Sequence, residues 1–110
     1  MNTKPKESDW KHFRDMLELL RERYLKDKNR ALVEILTDPG RSPTEQFWDS
    51  FEAMKEESEV LHACLDGYSR SKMYQYMLRM LRHGMLLEED LSGFSKELQE
   101  QLIRHLKTDF

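Results

Sequence analysis

Apolar positions recur every three or four residues along almost the whole chain, the spacing of one face of an α-helix. Trp10, Phe13, Leu17, Leu20 and Tyr24 open the pattern at spacings of 3, 4, 3 and 4. It thins through Lys26-Asp27-Lys28-Asn29-Arg30 and resumes at Leu32, Val33, Ile35 and Leu36. No Gly or Pro interrupts that gap, so one helix is expected over 9–37, capped by Ser8 or Asp9. Asp38-Pro39-Gly40 reads as a turn. Ser42-Pro43-Thr44-Glu45 then has the form of a helix start. Ser suits the cap, Pro suits the first helical position where no N–H is needed, and Glu three residues after the cap can bond back to it. The helix expected over 43–66 carries Phe47, Phe51, Met54, Leu61 and Leu65, with Ser58 filling one slot of the stripe and Trp48 and Cys64 widening it.

Gly67 is placed to end that helix in a left-handed conformation. A third helix is expected over 69–83, capped by Ser69 or Ser71, with Met73, Tyr74, Met77, Leu78, Met80 and Leu81 apolar and Gly84 as its stop. Glu88-Glu89-Asp90-Leu91 suggests one helical turn before Ser92-Gly93. A last helix over 95–107 carries Leu98, Leu102 and Leu106, with Ser95 as cap and Phe94 as an apolar staple. No β-branched alternating run is present, so no strand is expected. The predicted fold is all-α: a small bundle of four main helices with short loops, the first two long and antiparallel. Residues 1–8 are read as a disordered tail and 9–110 as a single helical domain.

Composition narrows the function. The 110 residues are 35% charged and 38% apolar, with a net charge of −3, a balance that suits a globular chain and argues against a dedicated nucleic-acid binder. The one cysteine, Cys64, cannot form an internal disulfide. No apolar run exceeds three residues, so no membrane contact is expected. The polar start Met1–Ser8 has no apolar stretch behind it and does not read as a secretory leader. Together these lead to a cytoplasmic expectation.

Few constellations carry chemistry. Glu59-Val60-Leu61-His62 puts a carboxylate and an imidazole on one helical face, but di-metal bundles need two such motifs. His12, His62, His83 and His105 are scattered, and nothing in the spacing pairs one with Cys64. Phosphate-binding glycine loops and nucleophile elbows are missing. No catalytic residue, metal ligand or cofactor is assigned, and an enzyme is not expected.

The more informative contrast is electrostatic. Residues 43–66 hold seven Asp/Glu and one Lys, while 69–83 hold four Arg/Lys and no acid. Ala63, Gly67 and Met73 have the spacing of a helix-turn-helix, whose second helix would present Arg70, Lys72, Arg79 and Arg82 with Gln75 and Tyr76. Asp66 at an apolar turn position and the acidic first helix weigh against it. The simpler reading is that the four cations neutralise the acidic helix. The methionine row is read as core before binding groove. Two long helices also overrun two short ones, so their exposed seam needs a second copy. The aromatic set Trp10, Phe13, Phe47, Trp48 and Phe51 is the candidate contact surface. The expected function is a non-enzymatic adaptor or regulator acting through protein–protein interaction as a homodimer. The alternative is a nucleic-acid-binding regulator using 69–83.

Overall fold

A computed structural model describes residues 5–108. Four α-helices carry the chain: α1 (Glu7–Leu36), α2 (Pro43–Leu65), α3 (Met73–Arg82) and α4 (Lys96–Lys107). Short 3-10 segments, Arg70–Lys72 and Glu88–Gly93, precede α3 and α4. Among the described residues there is no strand. The fold is the all-α bundle expected, and α1 runs unbroken through Asn29. Its charged middle, Lys26 to Arg30, contains no helix breaker, so losing the apolar stripe there does not end the helix.

The first helix begins two residues earlier than expected. Residues 1–4 lie outside the described residues, and the chain is helical from Glu7. Lys6 occupies the N-cap position without a side-chain cap. Asp9 is instead turned inward, toward Ser95. The third helix also opens differently: Ser69 makes no capping bond, and 70–72 wind as a 3-10 turn before α3 proper. The Ser42 cap forms as expected. Its hydroxyl accepts from Glu45 N–H at 3.1 Å and the Glu45 carboxylate accepts from Ser42 N–H at 2.8 Å. Gly67 and Gly84 end α2 and α3 with φ of 75° and 77°, a region that costs side-chain-bearing residues energy. The reversal at Gly84 brings Met85 and Leu86 N–H back onto Met80 C=O at 2.9 and 3.2 Å and sends both side chains into the core.

The core lies at one end of the molecule. Phe13, Leu20 and Tyr24 of α1 and Cys64 of α2 meet Met73, Met77, Leu78 and Met80 of α3, Met85, Leu86, Leu91 and Phe94 of the connection, and Leu98 and Leu102 of α4. The methionine row is therefore core. Unbranched thioethers adapt to the irregular gaps of a core.

Helix length explains the shape. The 30-residue α1 is about 45 Å long, whereas α3 and α4, with 10 and 12 residues, reach about 15 and 18 Å. The short helices cover only one half of the α1–α2 hairpin. The other half projects as an arm, and the molecule measures 53 × 29 × 22 Å. Hydrogen-bonded contacts such as Tyr24 to Glu57 tie the two long helices together antiparallel. Burial, together with the Glu57 carboxylate, holds the Tyr24 phenol above its ordinary pKa.

The arm's tip is braced locally. Asp38 accepts from Gly40 N–H and from Arg41 Nη1, each at 2.9 Å, Arg41 Nε donates to Asp49, and Gln46 Nε2 donates to Asp38 C=O.

Candidate interaction surface

Two parallel rows run along α2. Gln46, Ser50, Ala53, Glu57, Val60 and Cys64, spaced 4, 3, 4, 3 and 4, are buried or half-buried. The pairing of Glu57 with Tyr24 and Lys28 shows that this row faces α1. In the arm it consists of small or polar side chains, and the half-buried apolar groups there, Leu32 and Ile35, come from α1. One position over, Phe47, Phe51, Met54, Ser58, Leu61 and Leu65 repeat the same spacing. Toward the body, Leu61 and Leu65 of this row pack on the core. Toward the tip, Phe47, Phe51 and Met54 are 58%, 49% and 54% exposed, and neighbouring Trp48 is 56% exposed. The row packs on the core at one end and is left open at the other.

The exposed end is organised. Trp48 packs edge-on against Phe47, with centroids 4.9 Å apart at 90°, and against Phe51, 5.8 Å apart at 82°, an arrangement aromatic quadrupoles favour. Val33 and Leu36 of α1 are also exposed in the arm. Between Leu25 and Glu57 the only buried residue is Ser50, and its Oγ has no hydrogen-bond partner among the described residues.

The five aromatic residues singled out from sequence therefore do not form one surface. Antiparallel packing puts the start of α1 at the opposite end from the start of α2. Phe13 is 1% exposed, stacked on Trp10 at 5.9 Å and edge-on to Tyr68. Trp10 is half-buried under the Arg14 guanidinium. Only Phe47, Trp48 and Phe51 are presented together. Sequence reasoning did not place Met54 in the set, although its position in the same row as Phe47 and Phe51 identifies it.

The basic segment is dispersed in much the same way. Arg70 pairs with Glu7 of α1. Arg79 donates to Ala63 C=O at 2.6 Å and lies over the Tyr76 ring, while Tyr76 donates to Asp66 C=O at 2.6 Å. These two side chains satisfy carbonyls left open at the end of α2 and place a cation at the negative end of its dipole. Arg79 thus neutralises the acidic helix through its backbone. Lys72 and Arg82 are exposed. α3 buries Met73, Tyr76, Met77, Leu78 and Met80, so only Gln75 and Arg82 of its side chains are well exposed.

The remaining candidates are occupied or enclosed. Cys64 is fully buried, and desolvation pushes its thiol pKa up although Arg79 opposes the shift. His62 bonds Asp66 through Nδ1. Among the described residues no cluster of three or more His, Cys, Asp or Glu side chains could hold a metal ion, and no helix is long and apolar enough to cross a membrane. A groove between the start of α1, residue 71 and α4 is lined by Lys6, Asp9, Tyr74 and His105, but these groups are engaged with Glu97, Ser95, Gln101 and one another. No family model, curated protein or solved structure matches the chain.

Proposed function

We propose that this chain is a non-enzymatic interaction module, an adaptor or regulator that works by presenting the apolar face of its arm to another protein. The observation that carries the reading is the uncovered end of the α2 row: Phe47, Phe51 and Met54, with Trp48 beside them, continue a row whose other end packs against the core. Aromatic residues and methionine are enriched where proteins meet, and clustered aromatics mark the energetic centre of such contacts. The buried thiol and the engagement of the polar groove residues support a role without catalysis. A lone thiol with no disulfide partner supports placement in the cytoplasm. The nucleic-acid alternative has less to draw on, because Arg70 and Arg79 are spent inside the molecule.

The test is site-specific photocross-linking in cells that express the chain. A photoreactive residue placed at position 48 or 51 is expected to capture protein, whereas one at exposed Glu18 or Glu22 on the body half of α1 is not. Equal yields at all four positions, or none at 48 and 51, would remove the reading.

A further inference from the structure

We infer that the arm is covered by a second copy of this chain, two hairpins packing about a two-fold axis into a four-helix bundle. This rests on the interaction reading and names its partner.

Three observations lead to it. The first is that the arm lacks a core of its own. From Leu25 to Glu57 the buried set is Ser50 alone, and helices without a packed apolar face are marginal in water. The arm therefore needs its partner whenever it is folded, and a second copy is the partner present at equal concentration from synthesis onward.

The second is area. Val33, Leu36, Phe47, Trp48, Phe51 and Met54 are each about half exposed. At roughly 100 Å² from each, a pair of chains would bury about 1,200 Å², the lower bound of a stable interface. A two-fold arrangement uses the same patch twice and leaves no apolar face over.

The third is charge. The arm's internal ion pairs are Lys28–Glu57, Arg41–Asp38 and Arg41–Asp49. Exposed Lys26 and Arg30 on one face of α1 stand outside them, as do Glu52 and Glu59, two acids on either side of exposed Lys55 in the α2 row that contains Trp48. In the order inferred, with each α2 beside the partner's α1, the cations of one chain meet the acids of the other. An acidic foreign helix would be repelled by α2, while this chain supplies its own complement.

Sedimentation of the full chain across a concentration series tests the inference. The expected mass is twice the 13.3 kDa of the chain. Phe51→Glu, at a site exposed in the single chain, is expected to weaken association at least about 30-fold, the loss of one hot spot. Its near-ultraviolet dichroism should show an intact body. Charge reversal supplies a second arm. Lys26→Glu with Arg30→Glu, and separately Glu52→Lys with Glu59→Lys, each weaken self-association, and mixing the two variants restores it as a heterodimer. A chain monomeric throughout the series, or a dimer indifferent to Phe51→Glu, overturns the inference. If the monomer still cross-links another protein through position 48, the second copy is wrong and the interaction module stands. If nothing is captured there either, both fall.

Discussion

Asp9, in the first turn of α1, holds Ser95, the cap of α4. Its Oδ1 accepts Ser95 N–H at 2.8 Å and its Oδ2 accepts the Ser95 hydroxyl at 2.7 Å. Ser95 Oγ in turn accepts from Leu98 N–H. One buried carboxylate thereby fastens the last helix to the first. Asp9→Ala removes both acceptors and leaves a buried N–H unmet, at a cost of about 2–3 kcal/mol. Thermal unfolding should shift down by on the order of 10 °C. A shift no larger than that of an exposed control such as Glu18→Ala would show that water replaces the carboxylate.

Arg23 and Asp90 set a dependence on acidity. The guanidinium donates to both carboxylate oxygens, at 3.1 and 2.6 Å, and to Met85 C=O at 3.2 Å. The hydrogen bond from Arg23 is the main cause that lowers the Asp90 pKa, helped by Leu87 N–H and opposed by burial. A carboxyl depressed in the folded chain contributes its full stabilisation above its unfolded pKa of about 3.9, and loses it as pH falls through the lower folded value. The urea midpoint is expected to be flat near neutrality and to fall below about pH 4. Asp90→Asn should lower the plateau by about 1–2 kcal/mol, since the arginine is partly solvated. It should also flatten the acid limb. An unchanged limb would place the titration elsewhere.

Gly93 is small because His12 is there. A Cβ on Gly93 would stand 2.3 Å from His12 Nε2, and the imidazole is held edge-on to Phe94 at 4.6 Å. Gly93→Ala must displace the ring, costing about 1–3 kcal/mol. Combined with His12→Ala the penalty should largely vanish, giving a coupling energy of at least about 1 kcal/mol in a double-mutant cycle. Additive penalties would mean that the backbone at 93, not the ring, resists the methyl group.

Ser50 makes the opposite prediction. Its buried hydroxyl has no partner among the described residues, so Ser50→Ala removes a desolvation cost at little loss of packing. Stability is expected to rise by up to about 1 kcal/mol, read as a higher denaturant midpoint with unchanged slope. A fall would reveal a bridging water or a bond to the preceding turn.

Periodicity and turn chemistry are local, so the chain's own residues are enough to read them. Ser42, Pro43 and Glu45 announce α2, Gly67 and Gly84 announce two stops, and the mismatch in helix length implies an overhang. The fates of individual side chains are not legible in that way, because distant elements decide them. Asp9 has the sequence position of a cap for its own helix and instead holds the cap of another, Ser95, 86 residues later. Phe13 and Phe51 sit in equivalent stripes, yet only Phe13 is covered by the second half of the chain. Arg79 looks like a cation for an external ligand until α2 is seen to end beside it. The inward row of α2 escapes a search for apolar positions because Gln, Ser and Glu do not register as apolar, although their spacing matches that of the aromatic row.

The Asp38–Arg41–Asp49 brace fastens the hairpin's tip locally, and the core anchors its base independently. Neither fastening spans the stretch between them. A matched heptad added to or removed from both helices would preserve each end and the register of every row. The reach of this protrusion is thus a free variable, adjustable without redesigning the domain that carries it.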